Sequence, residues 1–88
     1  MADYTIAFAR SARKELEKLP PVMAGRILGK IEMRARFPRP ANSLKLQGHW
    51  NLWRMRVGDY RVVYAIDDVA RVVDVSVIRR RRDVYRDF

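Results

Sequence analysis

The stretch from Leu52 to Tyr64, L-W-R-M-R-V-G-D-Y-R-V-V-Y, has the pattern of a β-hairpin. Apolar and polar residues alternate as far as Gly58-Asp59, which has the composition of a two-residue turn, and a second apolar-rich run follows. Successive side chains of a strand point to opposite faces. Trp53, Met55 and Val57 are therefore predicted to enter a hydrophobic core.

Arginines occupy the alternate positions of the same hairpin. Arg54 and Arg56 are predicted to stand together on the face away from the core, and Arg61 joins them if the pairing register allows. Guanidinium groups gathered on one sheet face repel each other unless an anion meets them. The pattern thus predicts a basic face that binds an anion.

Length and composition indicate one globular domain over residues 1–88, because 88 residues leave no room for a second core and 49% of them are hydrophobic. The chain has no cysteine, which excludes disulfides, thiol nucleophiles and thiolate metal sites. The segment from Met1 to Phe8 lacks a basic stretch followed by a long apolar run. We therefore expect a cytoplasmic protein that makes no use of a membrane.

The charge balance is strongly basic. Nineteen Lys and Arg residues oppose ten Asp and Glu residues, a formal net charge of +9, and all but four of the cations are arginine. Arginine forms forked hydrogen bonds to phosphate, whereas lysine acts as a point charge. Nucleic acid, an acidic protein and an anionic membrane are the polyanions that suit such a chain. The alternative is a basic surface that serves solubility alone.

The periodicity of the chain predicts an α+β fold. Two N-terminal helices should pack on one face of a small, mainly antiparallel β-sheet, in the order β-α-α-β-β-β with room for one more strand. Tight turns between the later strands favour antiparallel pairing. The predicted elements are a strand at Tyr4–Phe8, helices at Ala9–Leu19 and Pro21–Phe37, a short strand near Lys45–Gln47, the hairpin continuing to Ile66, and a strand at Arg71–Arg79.

Two glycines lie four residues apart in the second predicted helix. Gly25 and Gly29 either let another backbone approach closely or are tolerated on the surface. The sequence does not choose between these interpretations.

The residue types present favour RNA as the anion. His49 is the single histidine and sits beside Gly48, so it is either a turn residue or a lone acid or base. No metal-ligand constellation is visible and no cofactor is predicted. Arginine can stabilise charge that grows on a phosphodiester, and RNA supplies its own nucleophile in the 2′-hydroxyl, which DNA lacks. Tyr85 either polarises a hydroxyl or stacks on a base, or simply packs its ring onto the sheet.

Three segments together resemble the RelE/ParE superfamily of bacterial and archaeal toxins. They are A-R-K-E-L-E-K-L-P (Ala12–Pro20), R-M-R-V-G-D-Y-R-V-V-Y-A-I-D-D (Arg54–Asp68) and R-R-R-D-V-Y-R (Arg80–Arg86). The resemblance spans nearly the whole chain in the expected order. It implies the RelE-like arrangement of two helices on a sheet.

The RelE branch of the superfamily implies an enzyme, a ribosome-dependent mRNA endonuclease that acts in the A site through 2′-hydroxyl attack without a metal. On this resemblance Arg61 and Arg81 hold the scissile phosphate and Tyr85 assists catalysis. The resemblance also implies that five further basic residues bind RNA. They are Arg54, Arg56, Lys45, Arg80 and Arg82. The partners implied are the ribosome with mRNA in the A site and an acidic cognate antitoxin.

The chain departs from the RelE pattern at the general base. Leu52 and Arg54 stand at strand positions where lysines are found, and Arg80 replaces a histidine before the tail arginine. The identity of the base stays open. The alternative is a ParE-like toxin that inhibits DNA gyrase by binding, without nuclease activity. A third interpretation is a basic module that binds nucleic acid without cutting it.

Overall fold

The computed structural model describes residues 3–39, 44–45 and 51–80. Within those ranges the predicted order of elements and the α+β class are confirmed. The predicted helix bounds differ from the observed ones by at most one residue at each end. The elements are β1 (Thr5–Phe8), α1 (Arg10–Lys18), α2 (Pro21–Arg36), β2 (Leu44–Lys45), β3 (Leu52–Val57), β4 (Tyr60–Asp67) and β5 (Val72–Arg80).

Local chemistry sets the bounds of α2. Pro21 occupies the first helical position, where its missing N–H costs no hydrogen bond and its fixed φ already suits a helix. Arg34 and Arg36 lie in the last turn, where cations interact favourably with the negative end of the helix dipole. Neither helix in the described ranges is long and apolar enough to cross a lipid bilayer.

The five strands form one sheet in the order β1-β5-β4-β3-β2. β1 pairs with β5 in parallel, and the other three pairings are antiparallel, which confirms a mainly antiparallel sheet. The β3–β4 turn is tight because Gly58 takes a φ of 58°, a left-handed value that costs glycine nothing. Asp59 has no positive φ, so the turn has the type II′ pattern that matches the twist of the strands.

Both helices cover the same face of this sheet and bury one core against it. Met55 and Val57 are buried there, and Trp53 packs half-buried against the core, as the alternation of β3 predicts. The buried cluster comprises Ala12, Ile27, Ile31, Met55, Val57, Val62, Tyr64, Ile66, Val73, Val75 and Ile78. The other face of the sheet carries the hairpin arginines Arg54, Arg56 and Arg61.

A β-bulge in β5 changes which of its side chains share a face. Val63 pairs with Val77, but the next residue of β4, Tyr64, pairs with Val75, so Ser76 has no partner in the register. The Ser76 hydroxyl donates a hydrogen bond of 3.2 Å to the Val63 carbonyl. Beyond this extra residue the alternation of faces reverses. The core side chains of β5 are Val73, Val75 and Ile78.

A buried cation joins the end of α2 to the sheet. Arg34 is 8% exposed, and its Nε donates a 3.2 Å hydrogen bond to the Tyr64 hydroxyl. That hydroxyl donates in turn to the Pro38 carbonyl at 3.2 Å. The periodicity of α2 did not predict this network, because a charged residue is ordinarily placed on the solvent side of a helix.

The glycines of α2 are exposed. A Cβ built on Gly25 or Gly29 would have no atom of the described chain within 4 Å. Within the described ranges no backbone approaches them. In the isolated chain the two glycines are therefore tolerated surface residues.

A polar cluster, the Asp68 clasp, ties three separate segments together at the surface. The Tyr4 hydroxyl donates to Asp68 Oδ1 at 2.6 Å, and Arg39 donates from both terminal nitrogens to the two carboxylate oxygens at 3.1 and 2.9 Å. Hydrogen bonding from Arg39, and then from Tyr4, holds the pKa of Asp68 below its ordinary value. The clasp fixes the β4–β5 turn against the N-terminus and the chain after α2.

Candidate nucleic-acid interface

A row of three arginines crosses the three central strands. In the pairing register Arg56 of β3 lies opposite Arg61 of β4, and Arg61 lies opposite Arg79 of β5. Neighbouring strands are about 4.8 Å apart, so the row spans about 10 Å between its outer backbones. We call Arg56, Arg61 and Arg79 the arginine row.

The arginine row lies on the sheet face opposite the one against which α1 and α2 pack. Val62, the neighbour of Arg61 in β4, points into the core, so Arg61 points the other way. Arg54 shares this face, two positions along β3, and lies opposite Val63. We call the surface formed by Arg54 and the arginine row the arginine face.

Arg61 is the most unusual residue of this face. Only 3% of it is exposed, whereas Arg56 is exposed and Arg79 is half-buried. Its Nε and Nη1 are buried and form no hydrogen bond with any described residue. A buried donor without an acceptor costs about 1–3 kcal/mol, and more when the group is charged. The fold therefore carries an electrostatic cost at this position.

The register adds a second unfavourable term. Like charges directly opposite each other on neighbouring strands are destabilising, and Arg61 has an arginine on both sides. One anionic group with several oxygens relieves both costs, because it accepts from the unpaired donors and screens the three charges. Phosphate fits this requirement, since the guanidinium fork matches its oxygens. The arginine face is therefore a candidate site for a phosphate or a comparable anion.

The structure tests the predicted grouping of the site residues only in part. The sheet brings Arg54, Arg56 and Arg61 onto one face, so that geometric prediction is confirmed. Their roles toward RNA stay predictions. Arg80 lies opposite Tyr60 and alternates with Arg79, so the strand places it on the helix side, away from the arginine face.

Other predicted site residues lie outside the described ranges. They are Arg81, Arg82 and Tyr85, together with His49, the single histidine. The backbone of Lys45 lies in β2 opposite Trp53, and its side chain is not among the described ones.

Arg79 belongs to the site, although sequence reasoning missed it. Strict alternation along β5 places Asp74, Ser76, Ile78 and Arg80 on one face. The bulge at Ser76 reverses that order and brings Arg79 beside Arg61 instead. Only the pattern of apolar residues, with Val75 and Ile78 three apart, hints at the irregularity.

Fold and site together define a class: a small basic α+β protein with an arginine-bearing sheet face opposite two helices. The family described as ParE toxin of type II toxin-antitoxin system, parDE, matches residues 6–85. Toxin RelG of Mycobacterium tuberculosis is 31% identical over 94% of this chain and 97% of its own length. The chain belongs to the RelE/ParE superfamily and is a toxin of the type II toxin-antitoxin class.

Solved structures of RelE toxins have the same fold. An arginine double mutant of E. coli RelE in the free state matches with a TM-score of 0.81 and 28% identity, covering 98% of this chain and 93% of the other. RelE in the archaeal RelE–RelB complex from Pyrococcus horikoshii matches with a TM-score of 0.79 and 27% identity, over 90% and 96% of the two chains. The family match bears the ParE name and these relatives bear the RelE or RelG name, so the comparisons do not separate the two branches.

Proposed function

We propose that this toxin is an endoribonuclease that cuts messenger RNA in the A site of the ribosome and thereby stops translation in the cytoplasm. The observation that carries the proposal is Arg61, a nearly buried guanidinium with two unpaired donors inside a row of three arginines. A scissile phosphate supplies the acceptors that this group lacks. RNA suits the site better than DNA, because its own 2′-hydroxyl can serve as nucleophile.

In this mechanism the 2′-oxygen attacks the adjacent phosphorus. A bond from phosphorus to the 2′-oxygen forms while the bond to the 5′-oxygen breaks, which leaves a 2′,3′-cyclic phosphate and a 5′-hydroxyl. Negative charge grows on the phosphoryl oxygens as the attack proceeds, and the arginine row stabilises it. Arg56 and Arg79 are placed to hold the strand on either side of Arg61.

Proton transfer requires a group other than arginine, whose pKa is above about 12. Tyr85 is the proposed partner of the reacting hydroxyl or leaving group, with Arg81 as a second phosphate ligand. Both roles rest on the resemblance of the tail to RelE toxins. Lys45, Arg80 and Arg82 remain proposed RNA contacts on the same ground.

An acidic cognate antitoxin is the proposed protein partner. The support is the formal net charge of +9, together with the RelE–RelB complexes among similar structures. Opposite potentials speed and orient association, so such a partner should bind quickly at low salt.

The proposal is tested by mapping the ends of a reporter message in a purified translation system. We expect new 5′ ends in register with codons, only when ribosomes are present, and at least 100-fold less product with Arg61→Ala. Arg13→Ala removes an exposed arginine of α1 instead and should cleave like the wild type. A message that stays intact with translating ribosomes and wild-type toxin would remove the proposal.

Inhibition of DNA gyrase by binding is the second candidate. Two observations favour it: the matching family is named for ParE toxins, and an Arg61 that is 3% exposed is poorly accessible to a substrate. A supercoiling assay separates the candidates. Loss of supercoiling with an intact message would establish this function, and undisturbed supercoiling at saturating toxin would remove it.

A further inference from the structure

A cleft of about 190 Å³ opens between α1 and the second half of β5. One face of α1 lines it with Ser11, Lys14, Glu15 and Lys18, which recur at helical spacing. Arg79 and its two aliphatic neighbours line the opposite wall. Apart from Arg79, the function described above makes no use of the residues that line this cleft.

The cleft lies where the described strands leave one side of β5 unpaired. β1 pairs only with the first half of that strand, Val72 to Val75. From Val77 to Arg80 the strand pairs with β4 alone among the described residues, and α1 packs against β5. The wall of the cleft is therefore a strand edge that faces a helix and pairs with no other described strand.

The charged residues of the lining are mostly cations. Lys14, Lys18 and Arg79 outnumber the one carboxylate, Glu15. Lys14 and Lys18 are exposed, and neither forms an ion pair with another described residue. Such a site attracts an anion whose oxygens two ammonium groups and the Ser11 hydroxyl can reach.

The size and position of the cleft indicate which kind of anion it binds. The cleft is smaller than the roughly 300–1,000 Å³ pockets that enclose whole small molecules, so it suits one charged group of a larger ligand. Arg79 lines the cleft and is also the end of the arginine row. The arginine row thus ends at the strand edge that borders the cleft, so a single strand that passes around this edge meets both sets of cations, as in the charged grooves that track a single-stranded nucleic acid.

We propose that Lys14 and Lys18 bind a backbone phosphate of the same RNA strand whose neighbouring phosphate lies on the arginine row. This inference rests on the proposed function and extends it with a second phosphate site. The cleft holds the strand without touching the reacting atoms. It should therefore contribute to affinity for any RNA sequence, because a phosphate carries no base identity.

The test compares two variants that lose the same charge. Lys14→Gln with Lys18→Gln removes the cleft cations, and Arg13→Gln with Lys30→Gln removes two exposed cations that do not line it. Affinity for a fluorescent single-stranded RNA 12-mer, free of ribosomes, is measured by anisotropy from 50 to 300 mM salt. Unchanged circular dichroism and melting temperatures show that all proteins are folded.

We expect the cleft variant to bind about 5- to 30-fold more weakly at 0.1 M salt. Its plot of log affinity against log salt should be shallower by about 0.7, since the one phosphate contact that is lost contributes about 0.7 on a single strand. The control variant should stay within about twofold of the wild type. Equal losses in the two variants, or no loss in either, would overturn the proposal.

Two further binding measurements distinguish the proposed RNA strand from two other ligands of the cleft. If the cleft variant loses binding to a polyglutamate peptide but keeps its RNA affinity, the cleft serves an acidic protein and the proposal fails. If it loses cosedimentation with ribosomes that carry no message while binding the 12-mer normally, the phosphate belongs to ribosomal RNA and the proposal also fails. Message cleavage by the wild type is scored separately, so failure of the proposed function is distinguishable from failure of the cleft.

Discussion

Replacing Arg61 by methionine should stabilise the fold while abolishing the function. Methionine keeps most of the aliphatic stem but removes two buried donors that lack partners among the described residues. Relief of that desolvation is worth about 1–3 kcal/mol. Removing a charge that faces two like charges adds a few tenths of a kcal/mol. A gain of about 1–3 kcal/mol in the free energy of unfolding is expected, and each kcal/mol raises the melting temperature of a domain this size by about 4–8 °C.

The assay is thermal and urea unfolding of wild type, Arg61→Met and Arg56→Met at pH 7. Arg56 belongs to the same row but is exposed, so its replacement should change the free energy of unfolding by less than about 0.5 kcal/mol. A saturating RNA 12-mer should raise the melting temperature of the wild type by ligand linkage and have little effect on Arg61→Met. An Arg61→Met protein that melts below the wild type would refute the reasoning, because the guanidinium would then be held by stabilising contacts.

Three further predictions concern the fold. Gly58→Ala should lower the free energy of unfolding by about 1–2 kcal/mol, because the φ of 58° is strained for alanine. Gly29→Ala lies at an exposed helix position and should raise the free energy of unfolding by about 0.5–1 kcal/mol. Urea unfolding of both proteins checks these opposite signs, and a similar shift in both would contradict them. Tyr64→Phe removes the acceptor of the Arg34 Nε and should cost about 1–3 kcal/mol by the same measurement, so a neutral effect would show that the buried network does not hold α2. Because the pKa of Asp68 is lowered in the folded state, its contribution is fully present above its ordinary value of 3.8 and is lost as the pH falls through the folded value. The melting temperature of Asp68→Asn should therefore fall less steeply than that of the wild type below about pH 4, and parallel curves would count against the clasp.

The hairpin and its arginines could be predicted because their determinants are local. Period-two alternation within one strand places Arg54 and Arg56 together. A two-residue turn then fixes the register, so that Arg61, two residues after the turn, meets Arg56, two residues before it. Composition and turn positions were sufficient for the α+β class. The parallel pairing of β1 with β5 depends on a contact between distant segments and left no local sign.

The rest of the site depends on packing that no local pattern specifies. The bulge at Ser76 places Arg79 on the arginine face, where strict alternation would place Arg80. One inserted residue reverses the face of every later side chain of the strand. Arg34 is buried because Tyr64, thirty residues along the chain, offers an oxygen to it. The burial of Arg61 was equally hidden, because an arginine on an alternating strand is expected at the surface.

Attack by the 2′-hydroxyl can be tested with a message that carries one 2′-deoxynucleotide at the mapped cut site. We expect wild-type toxin and ribosomes to leave this message intact, while the all-ribose message yields an upstream fragment ending in a 2′,3′-cyclic phosphate. Cleavage of the deoxy-substituted message at the same position would contradict 2′-hydroxyl attack. It would also remove the reason for assigning the phosphate site of Arg61 to RNA.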